Sequence, residues 1–240
     1  MTLYRFLLTV ITALAQLALP SHAETVLRVL INDVAPYTLH DDPQHPGMHA
    51  DMVNALARRA GVSVEMQSVP YVRLADGIRR GSADLVVGVE GPELESLARR
   101  VVPFHVFKFV VISKNDTGIN SVADLRGHLL GVARGAFYDE SINNDPGINK
   151  YQMKDPFQGV RMLAADRLDA VISSDYLLTY ALKQAGLSKA DFSRPFVVNE
   201  RSYVLYASKQ LPDEVVKRLQ DGMAQLHKSG QIAEILHRYQ

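Results

Sequence analysis

The chain alternates between short apolar segments of strand length and longer segments with helical periodicity. Apolar runs typical of buried strands occupy residues 26–31, 83–89, 107–113, 128–134, 168–174 and 203–208, and residues 62–69 alternate as a half-buried strand does. Apolar residues recur at helical spacing in 50–61, 71–81, 156–167, 175–186, 212–230 and 231–240. Gly61 and Gly81 are well suited to end the first two helices. Because strands and helices alternate, the pattern predicts an α/β fold with parallel strands joined by right-handed crossovers.

One phrase occurs twice along this pattern. Residues 79–89 (RRGSADLVVGV) and 164–174 (AADRLDAVISS) each end a helix, place an Asp before an apolar run, and finish on small residues. The repetition predicts two similar α/β lobes, with Asp84 and Asp169 as structural turn or capping residues. Ligands bind at the carboxyl ends of strands in open α/β sheets, so two such edges facing each other would form a cleft.

The first 23 residues have a different character. Arg5 is the only charged residue before an apolar run from Phe6 to Leu19, and Pro20 ends that run. The run is shorter than the ~20 residues that span a bilayer, and Ser21-His22-Ala23 resembles a cleavage site. We therefore expect a secretory signal peptide over residues 1–23 and a periplasmic product that is not inserted in the membrane.

Composition excludes several classes of protein. The formal net charge is zero, so no basic field indicates nucleic-acid binding. Hydrophobic residues make up 47% of the chain, enough for a sizeable core. There is no Cys, which excludes disulfides, thiolate chemistry and lipid attachment through cysteine.

Four stretches of the mature chain resemble the family 3 extracellular solute-binding proteins, the periplasmic receptors of polar amino acid ABC importers. They are VLRVLINDVAPYTL (26–39), GMHADMVNALARRAGVSVEM (47–66), SVADLRGHLLGVARGAF (121–137) and DEVVKRLQDGMAQLHKSGQIAEILHRY (213–239). Each motif is loose, but they follow the family's order over the whole mature chain.

The resemblance implies a two-lobed periplasmic binding protein fold of type II. Each lobe would be a mostly parallel sheet flanked by helices, and two hinge strands near 110–113 and 199–203 would connect them. Lobe 1 is expected to comprise 24–110 plus 200–240, and lobe 2 to comprise 111–199. A solute captured between the lobes would stabilise their closure.

The chain departs from the family where the amino acid ligand is held. The carboxylate-binding Arg of the family's T-P-E-R motif corresponds to Leu94, a Thr of its G-T-T motif to Ala136, and its ammonium-binding Asp to Ser174. Burying a zwitterion without these partners costs several kcal/mol, which disfavours an α-amino acid ligand. A shift of these motifs along the chain remains an alternative. In that case Arg99 or Arg100 would replace the family's Arg, and Asp175 would replace its Asp.

Other residues at predicted strand ends are candidates for the cleft. Tyr37 matches the position where the family stacks an aromatic ring on the ligand, and Arg73 would meet an anion unless it lies on a solvated helix face. The full set of predicted ligand-binding residues is Tyr37, Tyr71, Arg73, Glu90, Gly91, Arg134, Phe137, Ser173, Ser174, Asp175 and Tyr176. Phe137 and Tyr176 could instead pack in the core. Arg99 and Arg100 could instead be surface charges.

The loop that carries His40, His45 and His49 contains residue types that bind Zn or Cu. Their spacing matches no sharp metal motif, so a solvated loop is favoured and no metal or cofactor is predicted.

The leading functional hypothesis is a monomeric receptor that captures a small polar or anionic solute and delivers it to an inner-membrane ABC permease. A partner-binding or sensory module of the same fold, without transport, is the alternative. A periplasmic dehydratase is less favoured, because Leu94 replaces the Arg it would need and no hydrolase, zinc-protease or phosphate-loop motif is present. We therefore expect no enzymatic activity.

Overall fold

The computed structural model describes residues 26–239, so the predicted signal peptide lies outside the described residues. The strands are β1 Val26–Asn32, β2 Ser63–Val69, β3 Leu85–Val89, β4 Arg99–Ser113, β5 Leu129–Ala133, β6 Asn149–Met153, β7 Ala170–Ser174 and β8 Phe196–Ala207. The α-helices are α1 Met48–Ala60, α2 Leu74–Arg79, α3 Pro92–Leu97, α4 Glu140–Asn143, α5 Pro156–Ala164, α6 Asp175–Gln184, α7 Asp213–Lys228 and α8 Gln231–Arg238. Short 3₁₀ turns occupy Tyr71–Arg73, Ala123–Leu125 and Lys189–Asp191.

Two long strands join two lobes in one continuous sheet. The strand order is β2-β1-β3-β8-β4-β7-β5-β6. β1 pairs in parallel with β2 and β3, and β5 pairs in parallel with β6 and β7, so each lobe has its own parallel sheet. β4 and β8 run antiparallel to each other and also pair with β7 and β3, respectively. They are the two hinge strands, whereas the lobe boundaries at 110/111 and 199/200 stay a prediction.

Helices cover the sheet where their apolar faces require it. In the first lobe α1, α7 and α8 pack over one face, and α2 and α3 over the other. Helix α7 buries Val216, Leu219, Met223 and Leu226, which recur at the spacing of one helical face. Helix α1 ends at Gly61, whose φ of 62° is the left-handed conformation expected of a C-cap glycine.

The repeated phrase has one structural meaning in both lobes. In the first, the backbone N–H of Arg28 donates to the Asp84 carboxylate at 2.9 Å, and the N–H of Asp84 donates to the carbonyl of Arg28 at 2.9 Å. In the second, Leu129 and Asp169 exchange the same two hydrogen bonds at 2.7 and 3.0 Å. Each Asp therefore fixes the start of its strand against the neighbouring strand, as predicted.

Several elements differ from the pattern-based prediction. The hinge strands begin at Arg99 and Phe196 rather than at 107 and 203. Register shifts at Arg100/Val102, Pro103/His105 and Phe109/Val110 interrupt their alternation, which hid their length. The segment 138–152, which the sequence pattern predicts to be a loop, contains α4 and most of β6. β6 is an edge strand with an exposed polar sequence. The helix predicted over 71–81 is a 3₁₀ turn followed by the short α2.

Candidate functional site

The carboxyl ends of the strands in the two lobes face each other across an interlobe crevice. The Tyr37 hydroxyl, which follows β1, lies 2.8 Å from the Ser174 hydroxyl at the end of β7. Val72, which follows β2, packs on the turn after β5, because a Cβ on Gly135 would lie 2.5 Å from its Cγ1. The crevice is therefore lined from both lobes, in the place that the strand order predicts.

Tyr37 belongs to a buried group of four rings that we call the aromatic cluster: Tyr37, His49, His105 and Tyr203. The Tyr37 ring stacks on His49, with centroids 4.1 Å apart and planes 4° apart, and meets Tyr203 edge-on at 4.9 Å. Tyr176 of lobe 2 meets His105 edge-on at 5.3 Å. Tyr37 is fully buried, so its ring packs on protein rings in this structure.

The two histidines of the aromatic cluster are joined by a hydrogen bond of 3.1 Å between their Nε2 atoms. Burial lowers the pKa of His105 to about 4 and that of His49 well below its usual value, so both are neutral near pH 7. His105 Nδ1 lies 3.3 Å from the Val106 carbonyl, to which it must donate. His105 Nε2 is then the acceptor and His49 Nε2 the donor, which leaves His49 Nδ1 as a buried acceptor without a partner among the described residues.

The histidines of the 40–49 loop have separate partners. His40 Nε2 lies 2.7 Å from Asp33, and His45 Nδ1 lies 3.4 Å from an Arg238 nitrogen. His49 is turned into the aromatic cluster. Between residues 26 and 239, no group of three or more His, Cys, Asp or Glu side chains is arranged to hold a metal ion.

The three positions predicted to replace the family's ligand clamp take part in packing. Leu94 is buried over Gly88 with Ala98, Val204 and Tyr206. Ala136 packs against the main core. The Ser174 hydroxyl accepts from the N–H of Leu177 at 3.2 Å, which caps α6, while it also bonds Tyr37. None of these three residues brings a charge into the crevice.

The residues proposed as substitutes for the clamp are engaged elsewhere. Arg99 bonds Asp213 and the Leu211 carbonyl beside α7. Arg100 bonds Glu90 at 3.2 Å and Glu95 at 3.3 Å. Asp175 is half-buried, accepts from the N–H groups of Lys108 and Tyr176, and has a raised pKa because of burial.

The other predicted site residues are distributed around the crevice. Glu90 is held by the Ser202 N–H at 2.9 Å in addition to Arg100, so its carboxylate braces the hinge strand β8. Gly91 precedes α3, and Ser173 is buried in β7. Arg134 is exposed, and the Phe137 side chain is 51% exposed near the turn that meets Val72.

Arg73 and Tyr71 diverge, although they are close in sequence. Arg73 is exposed and lines a groove of about 440 Å³ between β2 and α2, with Gln67, Asp76 and Arg80. This groove is separate from the aromatic cluster. Tyr71 is largely buried, which raises the pKa of its hydroxyl to about 12, against the opposing effect of the Arg201 charge.

Arg201 is a charged residue close to both lobes that the sequence did not single out. It lies on hinge strand β8 opposite Phe107, and its charge influences both Tyr71 of lobe 1 and Asp139 of lobe 2. Two residues earlier, Asn199 donates to the Tyr138 carbonyl at 2.6 Å and to Asp139 at 3.3 Å. The only sequence signal was the run of polar residues Asn199, Glu200 and Arg201 inside a predicted hinge.

Within residues 26–239, no helix combines the length and apolar character needed to cross a bilayer.

Comparison with known proteins agrees with this architecture. An arginine-binding extracellular protein of Bacillus subtilis (strain 168) is 25% identical over 148 residues, which span 60% of this chain and 58% of that protein. A probable histidine-binding protein of Neisseria gonorrhoeae is 24% identical over 89% of this chain and 82% of its own length. The first match thus covers little more than half of the relative.

Solved structures confirm the predicted two-lobed fold. A histidine kinase sensor domain with similarity to periplasmic binding proteins superimposes with a TM-score of 0.77 at 19% identity, over 90% of this chain and 96% of that one. The model of the bacterial extracellular solute-binding proteins, family 3, matches residues 27–240. The collinear motifs, the two hinge strands and this match lead to one conclusion: the chain belongs to the bacterial extracellular solute-binding proteins of family 3.

Proposed function

We propose that the chain is a periplasmic receptor that captures a small polar or anionic solute between its lobes and delivers it to an ABC permease. The observation that carries the proposal is the crevice itself, where strand ends of both lobes meet across two hinge strands. Family membership supports solute binding. Cleavage after Ala23, export to the periplasm and a monomeric state belong to the same proposal.

The relatives suggest arginine or histidine as solutes, but the crevice argues for another class. Leu94, Ala136 and Ser174 offer no ion pair to a zwitterion, and Arg99 and Arg100 are bound to Asp213 and Glu90. A buried zwitterion needs compensating charges at both ends. We therefore place polar and anionic solutes without an α-ammonium ahead of amino acids.

Thermal unfolding of residues 24–240 with a panel of solutes tests capture. The panel holds arginine, histidine, glutamine, small carboxylic acids and their neutral amides. A solute at 100 times its Kd stabilises the folded state by about 2.7 kcal/mol, which gives a clear rise in Tm. A true ligand should also reduce the radius of gyration in X-ray scattering if the lobes close around it. A protein that responds to no member of the panel would contradict solute capture.

A sensory or partner-binding module is the second candidate. The residues at the predicted clamp positions support it, because Leu94, Ala136 and Ser174 carry no charge that could pair with the family's usual amino acid ligand. Uptake of the identified solute by cells with and without the gene separates the two: equal uptake would favour the sensory role. A dehydratase is disfavoured, since Leu94 is in the core and Glu90 is held by Arg100 and Ser202.

A further inference from the structure

We propose that Arg201 is the anion anchor of the crevice and that the solute is a small organic acid whose carboxylate binds this guanidinium. This inference rests on the proposed function, and it names both the class of solute and the residue that selects it. A guanidinium presents a planar fork of donors that matches the two oxygens of a carboxylate.

Arg201 has the placement that an interlobe anchor needs. It lies on β8, one of the two strands shared by the lobes, and is partly buried. Its positive charge opposes the raised pKa of the Tyr71 hydroxyl in lobe 1 and contributes to the lowered pKa of Asp139 in lobe 2. A group bound to Arg201 would therefore be within reach of both lobes, which is what couples binding to closure.

The guanidinium of Arg201 forms no direct bond with another side chain of the described residues. Over residues 26–239, its side chain forms no hydrogen bond and no ion pair. The hydrogen-bonding capacity of the nearby carboxylates is directed elsewhere: Glu90 binds Arg100 and the Ser202 N–H, and Asp139 binds Ser141 and Asn199. Asp139 acts on Arg201 through its charge alone. A partly buried guanidinium without a bonded partner is unfavourable, and an anionic solute would supply that partner.

Asn199 supplies a second point of contact on the same strand. Its Nδ2 donates to Tyr138 and Asp139, so the amide orientation is fixed and Oδ1 is an acceptor. That Oδ1 atom is buried without a hydrogen-bond partner in the described chain. Positions 199 and 201 point to the same side of the strand, about 7 Å apart. A donor on the solute, such as a hydroxyl, would satisfy this acceptor while the carboxylate binds Arg201.

The charge balance favours a carboxylate over a phosphate. One unpaired guanidinium matches one negative charge. A phosphate carries close to two charges at neutral pH and would also meet the Asp139 carboxylate, whose pKa is held below its usual value by Ser141, Asn199 and Arg201. Repulsion by Asp139 grows with the charge of the bound anion, so it weakens a phosphate more than a monocarboxylate.

The test compares Arg201→Gln and Arg201→Lys with the wild type, using residues 24–240. Gln keeps hydrogen bonding without the charge, and Lys keeps the charge without the fork. Arg194→Gln is the matched control, because Arg194 is an exposed arginine of lobe 2 with no ion pair among the described residues. The probes are the monocarboxylates propionate and L-lactate, the neutral propionamide, and inorganic phosphate. Calorimetry measures their affinity, and thermal unfolding measures the Tm.

We expect propionate or L-lactate, but not propionamide, to raise the Tm of the wild type. L-lactate should bind more tightly than propionate, because its hydroxyl can donate to Asn199 Oδ1. Arg201→Gln should weaken this binding by about 10- to 100-fold, as loss of a charged hydrogen-bonding partner does. The affinity of Arg201→Lys for the acid should lie between those of Arg201→Gln and the wild type. Arg194→Gln should bind the acid as tightly as the wild type does. The solute-free Tm of Arg201→Gln should equal or exceed that of the wild type, which a structural arginine would not allow.

Three outcomes would overturn the anchor: equal carboxylate binding by Arg201→Gln and the wild type, equal binding of propionamide and propionate, or no response of the wild type to either acid. If glutamine or arginine nevertheless binds and closes the lobes with Arg201→Gln unaffected, the receptor function stands and only the anchor fails. Preferential binding of phosphate, lost in Arg201→Gln, would overturn the carboxylate assignment.

Discussion

The histidine pair of the aromatic cluster links the hinge strands to the interlobe contact. His105 on β4 lies opposite Tyr203 on β8 and bonds His49 of α1, which in turn stacks on Tyr37. Tyr37 carries the contact onward to Ser174 of lobe 2. Protonation of either histidine would place a charge in this buried cluster. Among residues 26–239, no carboxylate bonds either imidazole to balance that charge.

The pair predicts that stability falls in mild acid. The folded pKa of His105 is lowered to about 4, whereas an unfolded histidine has a pKa of about 6.5. Between these values the unfolded chain binds more protons, so the free energy of unfolding falls as pH drops through the window, by up to about 3 kcal/mol for His105. Urea unfolding across this range should show a shallower pH slope for His105→Gln than for the wild type.

His40→Gln is the control for that slope, because the His40 side chain is exposed and lies beside the Asp33 carboxylate. Burial raises the pKa of Asp175, which contributes in the opposite direction, so the comparison is between slopes of variants and not between absolute values. An unchanged slope in His105→Gln would show that the histidine pair is not held neutral by the fold.

At the scale of single residues, the sequence predicted which side chains lie at the strand ends but not which distant residues they contact. Tyr37, Ser174 and Tyr176 were expected at strand ends, and the structure brings them to the same region. His105 and Arg201 were missed because each lies within a long hinge strand. Only the register between β4 and β8 decides which distant side chains they meet, and a single sequence does not contain that register.

At the scale of elements, the reciprocal Asp bonds show how two lobes use one local solution. Asp84 and Asp169 each accept the N–H of a neighbouring strand and donate their own N–H back to it. Asp84 also binds the Arg28 guanidinium at 2.8 Å, which lowers the pKa of this carboxyl. Asp84 and Asp169 therefore fix the register of β3 and β7 at the amino ends of these strands, away from the crevice at their carboxyl ends.

Asp84→Ala and Asp169→Ala should each lower the free energy of unfolding by about 1 kcal/mol, since a backbone N–H loses its acceptor at a partly hydrated site. The two sites are in different lobes, so the double variant should show the sum of the single effects. Urea unfolding measures both. Asp116→Ala, an exposed Asp outside any ion pair of the described chain, is the control and should be within experimental error of the wild type. A strongly non-additive double variant would contradict independent caps.

The elements that sequence predicted well are those whose apolar pattern is continuous. β3, β5 and β7 are buried on both faces, and α7 keeps one apolar stripe. β6 was missed because an exposed edge strand of sequence NKYQM carries no such pattern. The first half of β4 was missed for a different reason, because Pro103 and two register shifts break its alternation.

At the scale of the whole molecule, the two lobes meet at a few points on either side of the hinge strands. Tyr37 meets Ser174, Val72 meets the turn at Gly135, and His105 meets Tyr176. The hinge strands connect the lobes through the chain and through the β4–β8 hydrogen bonds. We expect the contacts between the lobes to set how closely the crevice closes. A change confined to one contact should therefore alter lobe closure without unfolding either lobe.

Gly135→Ala tests this control of closure. Gly135 has a φ of +71°, and a Cβ there would lie 2.5 Å from Val72. Gly118→Ala is a matched control, because Gly118 has the same φ of +71° with no atom within 4 Å of the added Cβ. In both variants the free energy of unfolding should fall by about 1 kcal/mol because of backbone strain.

Only Gly135→Ala should also hold the lobes apart, which solution scattering would show as a larger radius of gyration. Val72→Ala removes the obstructing methyl groups, so it should restore the smaller radius in the Gly135→Ala background. If the two glycine variants have equal radii, the Val72–Gly135 contact does not limit closure.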